Sequence, residues 1–137
     1  MAYTKEQQLA IDKEGTNIIV SAGAGSGKTA VLTERVIRKL KQGIDVDRLL
    51  VLTFTNEAAS EMKSRIREGI IKNKLDREIA LLDSAYITTF DSFALSLVKK
   101  YNYLINVSNN LKIVDSSIIT IYKYGVLDNI FERKYGI

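Results

Sequence analysis

Apolar positions recur along this chain in two rhythms, one helical and one of short unbroken runs. Over residues 28–42 Leu32, Val36 and Leu40 fall four apart with Ile37 beside them, which predicts an amphipathic helix, and Gly43 is placed to end it. Over residues 56–70 Ala59, Met62, Ile66 and Ile70 form one stripe, while Lys63, Arg65 and Arg67 face elsewhere. Thr55 or Asn56 can cap that helix. A shorter helix is expected over residues 4–12, with Thr4 as N-cap and Gln7 as its capping-box partner. Further helices are expected over residues 75–82, over 91–104 carrying Phe93, Leu97, Tyr101 and Leu104, and over 116–135. The last has Asp115 or Ser116 as cap and Ile119, Tyr122, Val126 and Ile130 on one side. Three apolar runs are too short for helices and read as strands: residues 17–21, 48–54 and 85–89. A short extended piece follows at 111–114. Strand and helix thus alternate three times, which predicts a doubly wound α/β unit, with 48–54 a strand buried on both faces of a parallel sheet.

The first predicted strand runs into Ser21-Ala22-Gly23-Ala24-Gly25-Ser26-Gly27-Lys28-Thr29, with Ala30 next to it. This reads as a phosphate-binding loop. Gly23, Gly25 and Gly27 let the backbone adopt positive φ and approach a ligand, so that successive N–H groups can form an anion nest at the mouth of a helix. Lys28 would reach β- and γ-phosphate oxygens, and the Thr29 hydroxyl would ligate a bridging Mg²⁺. Ala22 stands where the general G-x-x-x-x-G-K-[ST] pattern has its first glycine.

Composition narrows the chemistry further. The 137 residues are one domain's length, with 46% hydrophobic and 26% charged residues. No cysteine or histidine is present, which excludes disulfides, Cys/His zinc sites and any mechanism that uses this chain's own imidazole. The net charge of +4 is mildly basic, a level many proteins with no nucleic-acid role also reach. The N-terminal residues are polar and no apolar run approaches a membrane span, so a cytoplasmic protein without membrane contact is expected. No proline occurs, no repeat is visible, and asparagine and tyrosine become frequent after Tyr101.

Four motifs in order resemble the N-terminus of superfamily 1 DNA helicases of the UvrD/PcrA/Rep type, and within them the AddA/RecB branch of helicase-nuclease proteins. Tyr3-Thr4-Lys5-Glu6-Gln7-Gln8-Leu9-Ala10-Ile11 is similar to the family's Q motif, whose glutamine, here Gln7, reads the adenine of ATP. The loop at Ala22 to Thr29 is similar to the family's phosphate loop, in which alanine at the first position is usual. Leu52-Thr53-Phe54-Thr55-Asn56-Glu57-Ala58-Ala59 resembles motif Ia, which implies that Phe54 stacks on a base of single-stranded DNA while Thr55 and Asn56 bond to its backbone. Thr88-Thr89-Phe90-Asp91-Ser92-Phe93 resembles a Thr-x-His-Ser-Phe stretch that implies further DNA contacts from Thr89 and Ser92. Asp91 stands at the histidine position, where a carboxylate would repel phosphate, and a helix-capping role is expected of it instead. Ala30 after the loop and Glu34-Arg35 in the next helix lean towards the AddA side.

The resemblance implies a partial RecA-like P-loop NTPase domain over residues 1–100, with a parallel sheet flanked by helices, and the start of a helical inserted subdomain over 101–137. It implies ATP and Mg²⁺ as cofactors. Gln7 and residues 22–30 would form the nucleotide site, and Lys28 and Thr29 would serve catalysis. Its implied partners are single-stranded DNA, the remainder of a helicase chain and a second subunit of a helicase-nuclease complex. Hydrolysis in such motors also needs an Asp-Glu pair at the end of another strand and arginines from a second domain. Neither is found in these residues, so the chain is expected to be an N-terminal fragment that binds nucleotide weakly and does not turn it over. Two other readings stay open, a small P-loop kinase and a non-enzymatic nucleotide-binding module.

Overall fold

The computed structural model describes residues 3–136. Its elements in order are helix α1 (Lys5–Asp12), helix α2 (Lys28–Lys41), a 3₁₀ turn (Val46–Arg48), strand β1 (Leu50–Thr53), helix α3 (Asn56–Lys72), helix α4 (Asp76–Leu81), strand β2 (Tyr86–Thr89), and helices α5 (Phe90–Lys100), α6 (Asn102–Ile105) and α7 (Ser116–Tyr135). Two compact units divide between Phe93 and Ala94, inside α5.

The first unit is built on the stripes the sequence displays. Val36, Ile37 and Leu40 of α2 meet Met62, Ile66 and Ile70 of α3, and Val46, Val51, Leu82 and Ile87 complete the buried cluster. Hydrophobic burial of this kind contributes about 1.5–3 kcal/mol for each large side chain, so the α2–α3 contact is a substantial part of this unit's stability. Gly69, on the inner side of α3, makes the close approach feasible: a Cβ there would lie 2.8 Å from Cδ1 and Cγ1 of Ile37. Termini are fixed as the sequence predicts. Thr4 and Gln7 form both halves of a capping box on α1, the Thr55 hydroxyl accepts from Ala58 N–H on α3, and Gly43, at φ 86°, follows α2 in the left-handed region. Among the described residues of this unit one carboxylate is buried. Glu78 of α4 accepts a hydrogen bond of 2.8 Å from the Val46 N–H and so holds the 3₁₀ turn against the core.

The sheet is smaller than expected. β1 and β2 pair in parallel, Leu50 opposite Tyr86 through Thr53 opposite Thr89, and α3 and α4 form the crossover between them. The run at residues 17–21 has no regular structure and is not a strand, because no segment among the described residues pairs with it. A strand is a relation between two segments, and without a ladder Ile19 stays in solvent, 96% exposed. β1 is likewise not buried on both faces. Val51 is buried, whereas Leu50 and Leu52, on the opposite side of the pleat, are exposed at 49% and 39%.

The second unit is helical. The helix expected over residues 91–104 is interrupted at Tyr101, after which α6 makes one short turn and Asn106 enters the left-handed region at φ 54°. Asparagine chemistry closes α6, since the Asn102 side chain donates to the Val107 carbonyl at 3.2 Å and Val107 N–H donates to the Asn102 carbonyl. Residues 111–114 are irregular. α7 has well-made ends, with the Asp115 carboxylate accepting from Ser117 N–H and Gly136 at φ 62°, but none of its residues is buried. Ile119, Tyr122, Val126 and Ile130 do not form a packed side, being between 44% and 72% exposed, and Ile118, Ile121, Tyr124, Leu127 and Phe131 make the other sides apolar as well.

Candidate nucleotide site

Residues 22–27 lead the preceding segment into α2 through two left-handed glycines, Gly25 at φ 75° and Gly27 at φ 82°. Gly23 is not in that region. A side chain at Gly25 or Gly27 would be strained, which accounts for glycine at these two positions. Gly27 is the N-cap of α2 and offers no side chain to its first N–H groups, so this helix mouth keeps donors and a positive dipole end for an anion.

The Lys28 and Ser26 side chains fold back on the loop. Lys28 Nζ donates to the Ala22 carbonyl at 3.0 Å and the Gly23 carbonyl at 2.7 Å, and the Ser26 hydroxyl donates to the same Gly23 carbonyl at 2.8 Å. Lys28 is thereby held over the mouth of the loop, with its ammonium satisfied by carbonyl dipoles that a phosphate oxygen can replace. The Thr29 hydroxyl, in the first turn of α2, has no hydrogen-bond partner among the described residues. That oxygen suits a Mg²⁺ ion, which takes one or two protein oxygens and completes its shell from waters and phosphates. No cluster of carboxylates that could hold a metal alone occurs among the described residues.

α1 closes the other side. Arg35, two turns along α2 from Lys28, donates to the Ala10 and Ile11 carbonyls at 2.7 and 3.1 Å and so docks α1 on α2. Asp12 pairs with Arg38, and Glu14 pairs with Lys39 at 2.6 Å. At the N-terminal end, burial and the neighbouring Glu34 carboxylate raise the pKa of the Tyr3 phenol, which hydrogen-bonds Glu34 of α2. Between α1 and the loop lies a cavity of about 600 Å³, walled by Gln7, Ala10, Ile18, Val20, Lys28 and Leu32 among others. Its size and its mixture of an apolar wall with a few polar groups suit a small ligand with an aromatic part. Arg35 lines it too, a place that no motif in the sequence suggests; the signal is its position seven residues after Lys28, on the same side of a helix. Ala24 and Ala30 are on the loop and the first turn.

The residues expected to touch DNA lie at the ends of the two strands. Phe54, just past β1, is fully exposed, and Thr55 and Asn56 open α3, with the Thr55 hydroxyl used as its cap. Thr89 ends β2 and is buried. Its hydroxyl donates to the Ser92 hydroxyl at 2.9 Å and accepts from Ser92 N–H at 3.2 Å. The cap of α5 is therefore Thr89, not Asp91, which lies inside the first turn and is exposed. Tyr86 and Phe93 meet edge to face with ring centroids 5.3 Å apart. No helix among the described residues is long and apolar enough to cross a membrane.

Comparison with known proteins gives the family of the chain. Residues 3–134 match the family model of the UvrD/REP helicase N-terminal domain. An ATP-dependent helicase/nuclease subunit of Heliobacterium modesticaldum is 45% identical over 141 residues, covering 97% of this chain and 10% of that protein. The protein of the same name from Clostridium novyi is 46% identical over 144 residues, and that from Geobacillus thermodenitrificans 44% identical over 145, each covering 12% of the relative. The chain spans about a tenth of the length of these relatives.

Proposed function

The chain belongs to the UvrD/REP helicase N-terminal domain family, and from that membership we propose that it forms the ATP-binding N-terminal part of a DNA helicase-nuclease protein that translocates on single-stranded DNA in repair and recombination. The observation that carries the reading is the loop at residues 22–29, opening α2 with Lys28 at its mouth and with Gln7 beside it in the wall of the same cavity. Triphosphate would lie along the loop and the N-terminus of α2, where Lys28 exchanges two carbonyl contacts for phosphate oxygens and Thr29 holds Mg²⁺. Gln7 would meet the adenine edge, since an amide matches the donor and acceptor that adenine presents at N6 and N7. Residues 1–100 are the motor portion in this reading and residues 101–137 the start of a helical insertion. The parent chain's second motor domain, together with a partner protein, completes the machine.

By itself the chain binds nucleotide weakly and does not turn it over, because no Asp-Glu pair ends β1 or β2 to position water and metal. Calorimetric titration with Mg²⁺ and a non-hydrolysable ATP analogue tests this. We expect binding by the wild-type chain, loss of detectable binding in Lys28→Ala with the circular dichroism spectrum unchanged, and no phosphate release from ATP. Equal binding by both proteins would remove the loop from the site, and phosphate release would mean that the chain holds a complete catalytic centre.

DNA contact is the second half of the reading. Phe54 offers a whole aromatic face to solvent at the end of β1, beside the exposed Asn56. Phe54→Ala should weaken single-strand binding by about 1–3 kcal/mol, the range for losing one base stack, measured by fluorescence anisotropy. Unchanged anisotropy would assign the stacking elsewhere.

A further inference from the structure

Resting on the phosphate-loop reading above, we propose that Gln7 is a positioning residue of the phosphate loop itself, tying the loop to the capping box of α1 whether or not a base is present. One amide makes both ties. Gln7 Nε2 donates to the Ser26 carbonyl at 3.0 Å, across nineteen residues of sequence, while its Oε1 accepts from Thr4 N–H at 2.9 Å. Gln7 N–H in turn donates to the Thr4 hydroxyl at 3.2 Å. The Ser26 carbonyl belongs to the residue just before Gly27, the left-handed glycine that caps α2, so the tie acts on the part of the loop that aims its N–H groups at an anion. Contact is close: a Cβ added at Gly27 would lie 3.2 Å from Gln7 Nε2.

The two ties also settle which end of the amide is which. Thr4 N–H can face only the oxygen, and the Ser26 carbonyl can face only the nitrogen. A side-chain amide has two N–H donors and two acceptor lone pairs, so one of each remains unspent. A 6-aminopurine edge needs one donor and one acceptor, which is the number the amide has left. The capping box, an ordinary device for starting a helix, thus holds the loop in place and orients the side chain opposite it. Loop geometry and base reading depend on the same group.

A ligand without a base separates the two roles. Wild type, Gln7→Met and Gln8→Met are titrated with Mg²⁺ plus inorganic tripolyphosphate and, in parallel, with Mg²⁺ plus a non-hydrolysable ATP analogue. Gln8, the neighbour on α1, bonds Asp12 of its own helix and reports what losing an amide from α1 costs in general. We expect Gln7→Met to weaken tripolyphosphate about three- to tenfold, the equivalent of about one hydrogen bond, and to weaken the ATP analogue at least as much, with Gln8→Met like wild type. A loss confined to the ATP analogue would make Gln7 a reader of the base alone, and no loss with either ligand would leave it a helix cap; each overturns the proposal. Failure of the wild-type chain to bind tripolyphosphate would overturn the phosphate-loop reading as well. Should Gln7→Met unfold α1, Gln7→Glu keeps the acceptor for Thr4 N–H while replacing the donor to Ser26 by an acceptor and adding a negative charge, so its binding is compared at high ionic strength, where the added charge is screened. Measured against the charge-matched Gln8→Glu, it should show the same additional weakening, and equality of the two would count against the tie.

Discussion

Helices α3 and α7 are of similar length, 17 and 20 residues, and both are well capped, yet one is the centre of a core and the other has no buried residue. In α3 the apolar residues recur on one side, so Ala59, Met62, Ile66 and Ile70 are all buried against neighbours whose own stripes match. In α7 they run all the way round, and Ile121, Tyr122 and Tyr124 stand 70%, 72% and 64% exposed. Capping and local propensity make a helix; a one-sided pattern with a partner gives it a place.

Core truncation should separate the two most. Ile66 is completely buried, and Ile66→Ala is expected to cost about 2–5 kcal/mol, whereas Ile121→Ala on α7 should stay within about 0.5 kcal/mol. Urea denaturation followed by circular dichroism measures both, and a comparable loss at Ile121 would mean that α7 is packed.

One substitution should change sign between the helices. Each has an internal glycine, Gly69 in α3 and Gly125 in α7, and helix propensity alone favours alanine by about 1 kcal/mol at either. At Gly69 the new Cβ would sit 2.8 Å from two carbons of the fully buried Ile37, and such overpacking costs about 1–3 kcal/mol. At Gly125 nothing lies within 4 Å. Gly69→Ala should therefore lower the thermal midpoint and Gly125→Ala raise helicity. Stabilisation by Gly69→Ala would show that α2 and α3 can move apart at little cost.

Much of this was legible in the sequence, for identifiable reasons. The stripe on α3, the box formed by Thr4 and Gln7, and the loop ending in Lys28 are all written in the spacing of a few nearby residues, and the structure has them at those positions. What failed was relational. Hydrophobicity shows that residues 17–21 and Leu50 and Leu52 favour burial, but pairing and covering need a second segment that a local pattern cannot supply. Gly69 is invisible for the same reason, because its value lies in the Ile37 side chain facing it. Within the site, the loop and Gln7 are legible from their motifs, whereas Arg35 carries only a periodic signal and the bond from Gln7 to Ser26 carries none.

The smallest expected effect is one of pH. The Glu14 pKa is lowered from 4.5, chiefly by hydrogen bonds from Lys39 and Gln42, and so is lower in the folded chain than in the unfolded one. Its contribution is present above 4.5 and fades as pH falls through the lowered value. Asp115 at the head of α7 is lowered in the same sense by Ser117. Thermal melts of wild type and Glu14→Gln at stepped pH should differ slightly near neutrality and converge as pH falls below about 4.5, and a gap that persisted unchanged in acid would show that this ion pair is not the cause.

The most direct test of a nucleotide site confined to the packed region is hydrogen–deuterium exchange with and without Mg²⁺ and a non-hydrolysable ATP analogue. The account predicts added protection in peptides covering α1, residues 22–27 and the start of α2, with peptides of α7 exchanging as before. Protection centred on α7, or none around Gln7 and Lys28 at saturating analogue, would contradict it.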